Sequence, residues 1–208
     1  MSGGQLLEIF ILAGIAGFFI YKLNSVLGQK NEGDDQEPEN LSRMNLEKKM
    51  YKNDRVIEVN DKLRPAISQI QKMDSSFSLA SFLDGAEKAF RMIIEAFNDG
   101  EVQGIKSFLS PEIYKKFQSS VNTRVKAGDV CHNNILRVKS CAIEKATISD
   151  RVAEITVKYE TEQIIAYADI NGNLIDGDFK EINQITDKWT FSRDLSSNDP
   201  NWLLVSTH

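Results

Sequence analysis

The hydrophobic period of this chain changes once, near Gly128, from the spacing of helices to the alternation of strands. Before that point Leu79, Phe82, Leu83, Ala86, Phe90, Ile93, Ile94 and Phe97 recur at helical spacing behind Ser78, a side chain suited to capping a helix N-terminus. Asn98-Asp99-Gly100 is a stop, and a short helix is expected over 102–109. Ser110-Pro111-Glu112 restarts the helix with a capping hydroxyl, a proline at the first helical position and an acid at the positive end. Ile113, Phe117, Val121 and Val125 are expected to share one face, and Ala127-Gly128 closes the helix.

After Gly128 the pattern is that of strands. Residues 134–147 read as a strand whose alternation slips near Ser140, where a bulge is expected. Ser149-Asp150 is a tight turn. From 152 to 168, Ala153, Ile155, Val157 and Tyr159 alternate with Glu154, Thr156, Lys158 and Glu160. Asn171-Gly172-Asn173 and Asp176-Gly177-Asp178 carry turn chemistry, residues 181–193 put Ile185, Trp189 and Phe191 on one face, and 202–207 close the sheet. The order predicts an α+β fold, with three helices packed on one face of a four-stranded antiparallel sheet.

A second constraint lies at the N-terminus. Residues 9–21 hold no charged side chain, and no Lys or Arg precedes Lys22. Ile9, Phe10, Ile11, Leu12, Ile15, Phe18, Phe19, Ile20 and Tyr21 are therefore expected to form a membrane anchor, with Lys22 and Asn24 at the interface. A signal peptide would need a positive N-terminal region and a transit peptide would need arginines, and the first arginine is Arg43. Lys22 and Lys30 follow the run, so the positive-inside rule predicts a single-pass protein of the inner (cytoplasmic) membrane with its C-terminal body on the cytoplasmic side. The domains expected are an anchor over 1–30, a charged and largely flexible linker over 31–73 and a folded body over 74–208. Residues 31–40 hold five acids and no large apolar side chain, whereas 41–64 turn basic, at net +3. Val56, Val59 and Leu63 share a helical face that Ile67 and Ile70 continue beyond Pro65, where the helix should break or kink.

The residue inventory excludes much chemistry. A net charge of −5 argues against a nucleic-acid partner. Cys131-His132 with Cys141 matches no zinc-ligand spacing, and neighbours on a strand point to opposite faces, so no metal, cofactor or Cys–His nucleophile is expected. Asp187 shares a face with Trp189 and Phe191, where a carboxylate could act as a base, but pairing with Arg193 or with a backbone donor is favoured. Phe82, Phe90, Ile93, Phe97, Phe117, Val121, Tyr159, Trp189 and Phe191 are the candidate lining of an apolar pocket between helices and sheet, with ordinary core as the safer assignment for any one of them.

Three stretches resemble the Tim44-like domain family: Phe82-Leu83-Asp84-Gly85-Ala86 with Ala89-Phe90, Ile93, Phe97 and Asp99-Gly100; Leu109-Ser110-Pro111-Glu112-Ile113-Tyr114 with Phe117; and 187–194 with 197–204. The resemblance spans 67–208 and is most specific in its last stretch. It implies a cystatin-like, nuclear-transport-factor-two-like fold with an apolar pocket, membrane contact and a non-catalytic adaptor role near protein translocation, as in short bacterial members. The long chaperone-binding region of the mitochondrial translocase subunit has no counterpart here. The partners expected are membrane lipids and a protein, either translocation machinery or a client polypeptide, docked as a segment or through a lipid chain. Alternatives are a small-molecule carrier or enzyme of the same fold, using Asp187 or Tyr159, and a ribosome-tethering protein.

Overall fold

The computed structural model describes residues 61–208. The expected anchor, the acidic tether and most of the basic stretch lie outside the described residues. Among the described residues, four helical segments precede the strands: α1 (Arg64–Met73), α2 (Leu79–Asp99), a 3-10 helix η1 (Val102–Phe108) and α3 (Pro111–Ala127). Five strands follow: β1 (Val130–Ser149), β2 (Val152–Ala168), β3 (Leu174–Gly177), β4 (Asn183–Asp194) and β5 (Leu203–Thr207).

The local signals explain the boundaries. Ser78 and Ser110 each accept a hydrogen bond from the backbone N–H three residues on, Ser81 and Ile113. Gly100 and Gly128 take left-handed φ values of 78° and 80° and return their N–H groups to the last turn. Asp150 bends the β1–β2 hairpin at φ 54°, which an aspartate tolerates better than a bulky residue. Pro65 does not interrupt a helix: it lies in the first turn of α1, where its missing N–H has no helical partner to lose.

All named strands pair antiparallel, in the order β1-β2-β4-β5, with β3 on β2. The slip expected near Ser140 is one of three register shifts, at Ile135/Arg137, Val138/Ser140 and Ile143/Lys145. The sheet has five strands, not the expected four. Strand β4 pairs with β2 only from Val152 to Gln163, so the last turn of β2 would otherwise present unpaired backbone groups. The four residues of β3 meet that stretch at Ala166, Tyr167 and Ala168, too short a run to show alternation in the sequence.

One core joins the helices to the inner face of the sheet. It includes Ile67 and Ile70 of α1, Leu83, Phe90 and Ile93 of α2, Ile113 and Val121 of α3, and Ala153, Ile155, Val157 and Tyr159 of β2. Among the described residues, Leu63, Ile67 and Ile70, which fall in the stretch expected to be linker, are part of this core. Val125 does not share the buried face of α3: it is 64% exposed. Each four-residue step overshoots a full helical turn by ~40°, so Val125 has rotated far from Ile113 and lies on the solvent side.

Candidate binding face on the inner sheet surface

The nine candidate lining residues separate by how they pack. Phe90 lies against Tyr159 with ring centroids 4.2 Å apart and planes 18° apart, and its centroid is 4.7 Å from that of Trp189. Tyr159 is fully buried, and its hydroxyl donates to the Ala86 carbonyl at 2.9 Å, which satisfies the ring's one polar atom. Phe82 meets Phe191 edge-on at 6.2 Å and Trp202 at 4.9 Å. Ile93 and Val121 are buried with them. Phe97 and Phe117 meet at 5.5 Å and stay half-buried, packed against the core from its margin. Trp202, absent from the candidate set although it was expected to open the closing strand, lies just before β5 and completes the end near Phe77 and Phe82.

Beyond Tyr159 the inner face turns polar. Thr161 and Gln163 continue the same alternation on β2 and are buried, and Asp187 pairs with Tyr159 across β2 and β4. Gln163 Nε2 donates to Thr161 Oγ1 at 2.7 Å, and Thr161 Oγ1 donates to the Ile185 carbonyl at 3.4 Å. Gln163 also hydrogen-bonds the Asp187 carboxyl, but burial outweighs that bond and pushes Asp187 up to about 6. The expected pairing of Asp187 with Arg193 is not formed. Six residues of strand separate them, a rise of ~20 Å, and Arg193 instead donates to Asp74 at 2.8 Å and to the Asp199 carbonyl at 3.1 Å. Gln163 went unnoticed because an amide in an alternating strand resembles a solvent-facing residue.

At the far margin, Arg124 Nη2 donates to the Phe97 and Asn98 carbonyls at 2.6 and 2.9 Å, with its guanidinium 5.0 Å from the Phe97 ring centre. This places a cation on the negative end of α2. Burial pushes the Cys131 thiol and the Tyr167 hydroxyl up, so neither supplies an anion there. Cys131 is buried and His132 is exposed against Phe179, consistent with their opposite strand faces. Among the described residues no group of three His, Cys, Asp or Glu is placed to hold a metal ion, and no helix is long and apolar enough to cross a membrane.

A Tim44-like domain matches residues 63–208. The chain is 22% identical over 125 residues to mitochondrial import inner membrane translocase subunit TIM44-1 of Arabidopsis thaliana, covering 60% of this chain and 26% of that protein. It spans only about a quarter of that relative's length. It is 23% identical to the uncharacterized protein RP434 of Rickettsia prowazekii (strain Madrid E), covering 96% of both chains. The crystal structure of the intermembrane space region of chloroplast protein ARC6 superposes with a TM-score of 0.45 at 12% identity, over 64% of this chain and 95% of that one. With the helix–sheet order, the aromatic inner face and a domain match that takes in more than half of its length, the chain belongs to the Tim44-like domain family.

Proposed function

We propose that this protein is a non-catalytic, membrane-anchored adaptor associated with protein translocation. The observation that carries the reading is the Tim44-like domain match over 63–208, with a translocase subunit among the relatives. The uncharged run at 9–21 supports attachment to the inner membrane, and the charged stretch after it provides reach. The folded body then docks a protein segment or a lipid chain at the half-buried margin of its inner face, near Phe97 and Phe117. Orientation follows the positive-inside bias and puts the body on the cytoplasmic side.

The test is fractionation and crosslinking of the full chain in intact membranes. Deleting 1–21 should release the body into the soluble fraction, and crosslinking should join the intact protein to a membrane-embedded translocation component or a polypeptide in transit. A deleted form that still pellets with membranes overturns the anchor. Recovery of lipid or metabolite without protein overturns the adaptor reading.

One observation favours a second reading, a carrier of small molecules: Asp187 is half-buried beside an aromatic core with a neutral amide as its hydrogen-bond donor. Native mass spectrometry of freshly purified protein distinguishes the two, since a carrier retains a small molecule that Asp187→Asn releases.

A further inference from the structure

Strand β4 has one edge that is only partly used. On one side it pairs with β2 along its whole length, from Asn183 to Asp194, without a register shift. On the other side β5 covers Trp189 to Ser192, and the His208 backbone exchanges two hydrogen bonds with that of Lys188. Alternate residues of an antiparallel strand point their backbone groups to alternate edges, so those of Gln184 and Thr186 face the same side as those of Lys188. Among the described residues nothing pairs with them there, and both residues are exposed. The other open edge of the sheet is treated differently. Strand β1 has three register shifts and carries Arg137, Lys139 and Lys145, the bulges and cations that discourage strand addition. Residues 183–187 of β4 have neither bulge, nor cation, nor proline.

The side chains beside this edge say what would fit it. Asp187 and Ile185 are half-buried on the inner face, next to the buried Thr161 and Gln163. Among the described residues Asp187 has the Gln163 amide as its hydrogen-bond partner and no cation. Strands β2, β4 and β5 carry three cations, and each is committed elsewhere: Lys158 to Glu160, Lys188 to Glu144 and Arg193 to Asp74. A half-buried carboxylate without a cation is costly, and one supplied by a ligand removes that cost. A strand added along β4 would place the residue opposite Asp187 on the same inner face, with its Cβ ~5 Å away. A free backbone row calls for a polypeptide, and the acid calls for a basic side chain on it. A second copy using the same edge would supply only 183–187, which hold no Lys or Arg.

We propose that an extended polypeptide segment adds to the open edge of β4 at Gln184 and Thr186, with a lysine or arginine side chain facing Asp187. This rests on the reading above that the body docks a polypeptide, and gives that docking its mode and its charge.

Proton–nitrogen NMR of the full chain in detergent tests this with three probes: the capped pentapeptide Lys-Thr-Val-Thr-Val, the same peptide with norleucine for lysine, and n-butylamine. The lysine peptide should shift the Gln184 and Thr186 amides and slow their exchange with solvent. Norleucine should weaken binding about tenfold, as for the loss of a hydrogen bond between charged groups. Asp187→Asn should erase the difference between the two peptides. Thr186→Pro, tolerated where an edge N–H faces solvent, should weaken the lysine peptide about tenfold by removing one ladder donor. Equal binding of the two peptides to wild type, unchanged affinity in Thr186→Pro, or no shift at millimolar peptide would each overturn the proposal. So would n-butylamine binding as tightly as the lysine peptide, which would mark a cation site without strand addition. Amides of Gln184 and Thr186 already protected without peptide would show the edge covered by this chain or a second copy, with the same consequence. Failure to crosslink to a translocation component, by contrast, would remove the adaptor reading and leave these titrations as they are.

Discussion

Arg193 Nη1 donates to Asp74 Oδ2 at 2.8 Å, an ion pair between residues 119 positions apart that ties the C-terminal end of α1 to β4. Both side chains are nearly buried, at 12% and 13% exposure, so this pair is less screened than the surface pairs of the outer face. Through it α1 is fastened to the sheet by charge as well as by Ile67 and Ile70.

Arg193→Ala should therefore destabilise the fold by about 2 kcal/mol at pH 7, the range of a hydrogen bond to a charged group. The hydrogen bond from Ser76 and then the Arg193 guanidinium hold Asp74 below the usual carboxylate range. A depressed carboxyl stabilises above its unfolded pKa, and that stability is lost as pH falls through the folded value. Denaturant titrations should show the gap between wild type and variant shrinking below about pH 4.

Tyr159→Phe removes the donor to Ala86 and leaves a buried carbonyl without its side-chain partner, at a cost of about 1–2 kcal/mol. Phe90→Ala opens a void between Tyr159 and Trp189 and should cost about 3–5 kcal/mol. Urea unfolding followed by tryptophan fluorescence reads both, and equal costs would contradict the stacking described.

Asp187 is a carboxyl whose folded pKa lies above its unfolded value, so its ionisation opposes folding. Stability should rise as pH falls from 7 through about 6 and level off near 4. Asp187→Asn keeps an acceptor for Gln163 and removes the charge. It should gain about 2 kcal/mol at pH 7.5 and nothing at pH 4. Thermal unfolding at the two pH values measures the difference, and a gain of equal size at both would disprove the burial cause.

Gly128 and Gly177 share a φ of 80° but not a setting. A Cβ at Gly128 meets nothing within 4 Å, whereas one at Gly177 would come 2.3 Å from the Ile165 carbonyl oxygen. Gly128→Ala should cost about 1 kcal/mol from backbone conformation alone. Gly177→Ala must also move backbone, so it should cost more and loosen β3 from β2, read as faster amide exchange at Ala166 and Tyr167.

Local chemistry in the sequence determined where α2 and α3 begin and end, that Ala153, Ile155, Val157 and Tyr159 of β2 face inward, and one of the three places where β1 slips. Those features depend on neighbours within a few positions: caps, left-handed glycines and the two-residue strand period. It also indicated that Phe82, Phe90, Tyr159, Trp189 and Phe191 are buried in one core, though not Trp202 beside them, because apolar side chains at fixed spacing must be covered together. Tertiary structure alone decided what those spacings could not express. Strand β3 exists because β2 outruns β4, α1 is secured by a partner 119 residues away, and Asp187 is left with an amide because Arg193 lies too far along the strand. Each of these outcomes is set by pairing register and distance between remote segments, to which no local period is sensitive.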